Sequence, residues 1–303
     1  MSDALNLRPR ARALVDALAA AELPAFDAGT PAEARALAAR LRAVQEPRPL
    51  AHVADAHAGS VPVRVYADTD RPVATLIYFH GGGWVLGGIE ESDAVARDLA
   101  ADTGCRVLSV AYRLAPESLF PSALEDADAA LDWAAATFPD EPLLVAGESA
   151  GGNIATVTAM RARDRDGPAI AGQILAYPVT DAGMTSASYR DYADGPLLTA
   201  PLMAWFWDHY IAEGEARRHA HASPINGNLA GLPPALVITA EHDVLRDEGE
   251  AYAAALQAAG VPTRQRRYDG QIHTFLALQL SDESDGAMTD IADFIRTVTG
   301  TAA

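Results

Sequence analysis

With 303 residues, half of them hydrophobic, the chain can bury a large core and suits an α/β unit that stays one domain with an insertion. Its 23 basic and 41 acidic residues give a net charge of -18, spread along the whole sequence; this argues against nucleic acid or an anionic membrane as partner and reads as solubility. One cysteine excludes an internal disulfide, MSDALNLRPR has no apolar run behind its charges, and nothing approaches the ~18 apolar residues of a membrane span, so a cytoplasmic soluble protein is expected.

Residues 10–46 are rich in Ala, Arg and Leu and read as two helices, the second opening at Thr30 with Pro31 in its first turn and Glu33 completing a capping box. Ala34, Leu37, Ala38 and Leu41 share one narrow face, with Arg35, Arg40 and Arg42 on the far side, the pattern of a lid-type cover. From Val61 the period changes. VPVRVYA alternates as a half-buried strand, and TLIYFH, CRVLSVAY, PLLVAGE, AGQILAY and ALVITAE are short apolar runs suited to buried parallel strands. Cys105 heads one of these runs and reads as core packing rather than as a nucleophile. Residues 90–103, 120–138, 151–165 and 246–259 have the length of crossover helices, which implies a mostly parallel sheet covered on both faces, with its site at the strands' carboxyl ends. The alternation breaks between about Asp181 and His221, where Tyr189, Tyr192, Trp205, Phe206, Trp207 and Tyr210 crowd together. This stretch reads as a helical insertion whose aromatics either pack against the body or line an apolar pocket.

The strongest chemical signal is Gly147-Glu148-Ser149-Ala150-Gly151, a G-x-S-x-G between the strand LLVAG and the helical run GNIATVTAM. That context places a serine on a tight strand-to-helix turn, near the partial positive charge of a helix N-terminus. A serine hydroxyl needs a base, and the base needs an orienting third group. Asp243 follows the strand ALVITAEH and His273 sits in the turn YDGQIHTF, giving the order Ser, acid, His. Asp247 competes with Asp243, but Asp247 and Glu248 open a helix, where carboxylates compensate the dipole. His242 reads as a strand-end residue; His52, His57, His209, His219 and His221 read as surface or cap residues, and His219-x-His221 lacks a third metal ligand at supporting spacing. His80-Gly81-Gly82-Gly83-Trp84 follows the strand TLIYF, and its bare backbone can present NH groups that, with the NH of Ala150, form an oxyanion hole. The following GGIEES has no Lys-Ser/Thr, against a phosphate cradle.

With HGGGW, YRLAPE at 112–117, GESAGG at 147–152, DVLRDEG at 243–249 and DGQIHTF at 269–275, the chain resembles the bacterial hormone-sensitive-lipase-like esterases over nearly its full length. The resemblance implies an α/β-hydrolase fold: a mostly parallel eight-stranded sheet flanked by helices, with a helical cap built from residues 1–48 and 181–222 over a core of residues 49–180 and 223–303. It implies a Ser149, Asp243, His273 triad, oxyanion donors Gly82, Gly83 and Ala150, supporting roles for His80 and Glu117, and hydrolysis of short- to medium-chain carboxylic esters through an acyl-enzyme. Trp84, Tyr192 and Phe206 are expected to contact substrate. Glu148 departs from the family's commoner Asp. No metal or organic cofactor is expected, the partner is a small-molecule ester, and the sequence leaves monomer and homodimer both open. The same scaffold also carries the plant gibberellin receptors, which resemble this family but lack the catalytic histidine; His273 speaks against that reading. The same machinery allows amide hydrolysis or acyl transfer to alcohols.

Overall fold

A computed structural model describes residues 5–41, 47–212, 214–279 and 286–301. Arg42 and the expected end of the second helix, residues 42–46, lie outside the described residues.

Eight strands form one sheet: β1 His52–Ala58, β2 Val61–Ala67, β3 Thr75–Phe79, β4 Arg106–Val110, β5 Leu143–Glu148, β6 Ile170–Ala176, β7 Ala235–His242 and β8 Thr263–Ile272. Their spatial order is β1-β2-β4-β3-β5-β6-β7-β8, with β1 and β2 antiparallel to their neighbours and the rest parallel. The pleat explains the apolar runs. In β3, Leu76 and Tyr78 enter the core on one face while Ile77 and Phe79 enter the core on the other, so every position of the strand is buried.

The two outermost strands had no such signature. HVADAHA and TRQRRYDGQI lie at the sheet's edges, and much of each faces solvent. His52 and His57 accordingly sit on the exposed β1.

Helices α1 Pro9–Ala20, α2 Pro31–Leu41, α3 Asp93–Thr103, α4 Ser122–Thr137, α5 Ala150–Asp164, α6 Ala187–Asp191, α7 Ala200–Tyr210, α8 Arg246–Ala258 and α9 Ala287–Thr299 complete the architecture. Leu124 and Ala127 of α4, Ile154 and Val157 of α5 and Leu256 of α8 fill one face of the sheet. Val95 and Leu99 of α3 and Ile291 and Phe294 of α9 fill the opposite face. α2 begins with a reciprocal box: Thr30 Oγ1 accepts from the Glu33 NH at 3.3 Å, and Glu33 Oε2 accepts from the Thr30 NH at 2.8 Å. Residues 181–222 leave the sheet after β6 and return to β7, carrying α6 and α7. No helix among the described residues is long and apolar enough to cross a membrane.

The chain order reverses at β3, whose neighbours β4 and β5 lie on opposite sides. The turns leaving β3 and β5 therefore open side by side, and those leaving β7 and β8 reach the same rim, where open α/β sheets bind ligands.

Candidate active site

Ser149 stands between β5 and α5 with φ 55° and ψ -119°, a left-handed conformation that costs a non-glycine residue about 1–3 kcal/mol. Packing enforces the turn. A Cβ on Gly147 would lie 2.1 Å from the Gly151 carbonyl oxygen, and one on Gly151 would lie 2.0 Å from that of Phe79, so both flanking positions require glycine. The Ser149 NH donates to Ala176 O at 2.9 Å, and its carbonyl accepts from Val179 and Asn153.

The turn after β8 brings His273 to this serine. His273 Nε2 lies 3.0 Å from Ser149 Oγ, and His273 Nδ1 lies 2.7 Å from Asp243 Oδ2. The other Asp243 oxygen accepts from the Leu245 NH at 2.9 Å, which fixes the carboxylate plane. The edge of the His273 ring meets Tyr177, with centroids 4.9 Å apart. All three residues are at least 95% buried, Ser149 at 5% exposure, His273 at 4% and Asp243 at 1%. Asp247 belongs elsewhere, accepting from the Ser188 NH at 2.8 Å. A hydroxyl, an imidazole and a buried carboxylate in sequence can move a proton off the hydroxyl and hold the resulting imidazolium.

The loop after β3 lies beside the elbow. Gly82 and Gly83 have φ of 112° and 59°, and a Cβ at Gly82 would meet the Leu86 carbonyl at 2.3 Å. The loop is pinned by Leu86 N to Gly82 O at 2.8 Å and by Ala115 N to Trp84 O at 2.9 Å. The His80 ring stacks on Tyr112 with centroids 4.3 Å apart, its Nδ1 2.7 Å from the Gly81 carbonyl. Burial pushes His80 down to about 4, so near neutral pH it supports the loop as an uncharged ring.

Glu148 lies behind the nucleophile. It accepts hydrogen bonds from the hydroxyls of Tyr78 at 3.0 Å and Tyr177 at 2.7 Å, and from the Gly81 NH at 3.4 Å. Burial raises its ionisation above the usual carboxylate range, against the pull of those hydroxyls. The extra methylene relative to Asp thus reaches partners on both the glycine-rich loop after β3 and the residue that packs on His273.

The three aromatics expected at the substrate separate. Trp84 has no exposed surface; its ring stacks on Tyr210 at 4.4 Å and tilts against Trp207 at 4.6 Å. It therefore fastens the loop to the insertion. Phe206 lies over the loop, where a Cβ on Gly83 would come within 2.2 Å of its ring. Tyr192 is half-buried, edge-on to His242 at 5.6 Å, and its hydroxyl accepts from Arg246 at 3.2 Å.

Two long side chains reach further than their helical positions indicate. Glu248 sits in the first turn of α8, where a dipole-compensating carboxylate is expected, but it is buried and accepts from the NH groups of Thr180 at 2.6 Å and Asp181 at 3.2 Å. The guanidinium of Arg35 reaches Val85 O, Ala115 O and Glu117. Sequence reading also passed over Asn153, which donates to both Val179 O and Ala222 O. No group of three potential metal-ligating side chains occurs among the described residues.

The family profile described as alpha/beta hydrolase fold matches residues 76–277. The carboxylesterase NlhH of Mycobacterium tuberculosis is 41% identical over 233 residues, 73% of this chain and 72% of that protein. The ethyl acetate hydrolase of Pseudomonas putida is 36% identical over 249 residues, 78% of each chain. Among solved structures, the thermostable esterase from Pseudomonas putida ECU1011 superposes with a TM-score of 0.88 at 35% identity, covering 97% of both chains. The ester-hydrolase EH1AB1 from the metagenome of Lake Arreo, complexed with a derivative of bipyridine phosphonate, gives a TM-score of 0.89 at 36% identity over 97% of this chain and all of that one.

Proposed function

The chain belongs to the α/β-hydrolase family and is a carboxylic-ester hydrolase, and from that premise we propose that Ser149, His273 and Asp243 carry out a two-step acyl transfer in the manner of the bacterial hormone-sensitive-lipase-like esterases. The observation that carries this reading is the unbroken run from the Ser149 hydroxyl through His273 to the buried Asp243, at 3.0 Å and 2.7 Å.

Ser149 Oγ attacks the ester carbonyl while His273 Nε2 takes its proton. Asp243, held by the Leu245 NH, keeps the ring oriented and stabilises the imidazolium. The NH groups of Gly82, Gly83 and Ala150 receive the oxyanion, each donor contributing about 3 kcal/mol to the transition state. The imidazolium returns its proton to the departing alkoxide, giving the free alcohol. Water, deprotonated by the same histidine, then attacks the acyl-enzyme, and collapse of the second tetrahedral intermediate frees the carboxylic acid and restores the serine.

Short- to medium-chain acyl groups suit this site, because Phe206 closes over Gly83 and the reacting residues are buried. The relative named an ethyl acetate hydrolase is consistent with that size class. The cap is assigned to residues 1–48 and 181–222, with Tyr192 and Phe206 toward substrate. Ser149→Ala is expected to abolish turnover of p-nitrophenyl acetate and butyrate while the circular-dichroism spectrum stays unchanged. Residual turnover near the wild-type rate would overturn the assignment.

A further inference from the structure

The sequence pattern places Arg35 on a polar helix face, yet its guanidinium is the most heavily engaged group of α2. Its Nε donates to Val85 O at 2.7 Å, its Nη2 to Ala115 O at 2.7 Å, and its Nη1 and Nη2 to the two oxygens of Glu117 at 2.9 Å and 2.7 Å. Two of these acceptors belong to the glycine-rich loop and its brace. Val85 follows directly on Gly82-Gly83-Trp84, and Ala115, whose carbonyl Arg35 holds, donates its own NH to Trp84 O at 2.9 Å. The consecutive carbonyls of Trp84 and Val85 are thus fixed, one by Ala115 and one by Arg35. On the other side of the loop, the Gly81 NH is tied to Glu148. Between these anchors lie Gly82 and Gly83, glycines with positive φ whose turn is closed by Val85 N and Leu86 N on the Gly82 carbonyl, so that the placing of Val85 also places the Gly82–Gly83 peptide.

We propose that Arg35 is a positioning residue that sets the direction of the Gly82 and Gly83 amides, so that the N-terminal helix α2, through one guanidinium, holds the oxyanion loop in its working shape. The inference rests on the reading of those amides as oxyanion donors. A planar fork with donors on three nitrogens satisfies two carbonyls and a carboxylate at once; a lysine ammonium keeps the charge but cannot span all three. Glu117 is the outer end of the array. Its side chain is 63% exposed, whereas that of Arg35 is 30% exposed, and the guanidinium holds Glu117 down to about 2. The carboxylate aims the guanidinium, and the two carbonyl contacts are what act on the loop.

This predicts a transition-state defect and not a binding defect. In Arg35→Lys the loop loses an anchor next to the donors, and kcat is expected to fall at least ~30-fold, toward the ~100- to 1,000-fold loss of an oxyanion donor, with KM within about threefold. A short alkylboronic acid, which forms a tetrahedral adduct on an activated serine, should lose affinity in parallel with kcat. Rates are taken per site titrated with a fluorophosphonate, so that a poorly folding variant is still read correctly. Arg35→Lys with kcat and boronate affinity within about threefold of wild type, or with the loss confined to KM, overturns the proposal. Failure of the underlying esterase reading looks different: Ser149→Ala would retain turnover and the wild-type protein would not bind the boronic acid.

Discussion

Glu248 offers a test in which the sign of a pH effect follows from one buried carboxyl. It lies in the first turn of α8 under the start of the insertion, where burial pushes its ionisation from the ordinary 4.5 up to about 8, opposed by the NH groups of Thr180 and Asp181. Between those two values the folded protein keeps a proton that the unfolded chain has released. Stability therefore falls as pH rises through this window; the contribution is fully present below about 4.5 and lost by about 8. At about 1.4 kcal/mol per pH unit the effect is at most ~5 kcal/mol. Glu248→Gln removes the titration and retains an oxygen to accept from Thr180 and Asp181. Urea denaturation of both proteins from about pH 5 to about pH 9 isolates the term, because every other titrating group is common to the pair. The expected result is a wild-type stability that declines by several kcal/mol relative to Glu248→Gln up to about pH 8 and then runs parallel to it. A difference that stays constant with pH would refute the reasoning.

Gly82→Ala should cost at least ~100-fold in kcat, because a methyl group 2.3 Å from the Leu86 carbonyl at φ 112° must move the loop; kinetics within threefold of wild type would show that the loop tolerates the shift and lies outside the oxyanion site. Phe206→Ala should lower stability by about 3–5 kcal/mol, the usual loss for a buried phenylalanine, and move the preferred p-nitrophenyl ester from acetate and butyrate toward octanoate. An unchanged chain-length profile would remove the ring from the acyl site.

How much of this was legible depended on whether the signal was local. The five strands β3 to β7 announce themselves as apolar runs because both of their faces are buried, and β2, which alternates, as a half-buried one. β1 and β8 do not, because TRQRRYDGQI at an edge spends half its pattern on solvent. Ser149, Asp243 and His273 each sit one step beyond a recognisable strand or in a glycine turn, so their proximity could be anticipated from chain order. Arg35 and Glu248 could not be, since helical periodicity reports the direction in which a side chain leaves the helix and not what a long side chain reaches after four or more bonds. Trp84 shows a related limit. Adjacency to HGGG suggests contact with substrate, but carries no sign of the packing its ring makes with Tyr210 and Trp207, more than a hundred residues further along the chain.

The elements that place Ser149 and Asp243 also fasten the insertion. α5 carries Ser149 at its N-terminus, and one turn later Asn153 donates to Val179 O at 3.0 Å and Ala222 O at 2.9 Å, drawing the two ends of the insertion together. The segment leading into α8 carries Asp243, and the helix's first turn holds the start of the insertion: Glu248 takes the NH groups of Thr180 and Asp181, and Asp247 takes that of Ser188. The Ser188 hydroxyl in turn donates to Val244 O at 2.6 Å, one residue from Asp243. A shift at residues 179–182, 188 or 222 would therefore be transmitted to the serine or the aspartate, whose separation from the histidine tolerates little change. Between these joints α7 is tied to the glycine-rich loop by side chains, since Trp207 and Tyr210 pack on Trp84 and Phe206 lies over Gly83, and the Tyr210 carbonyl accepts from the Phe120 NH at 3.2 Å. A change confined to Phe206 therefore leaves the joints intact, whereas a change at Trp207 or Tyr210 acts on the loop itself.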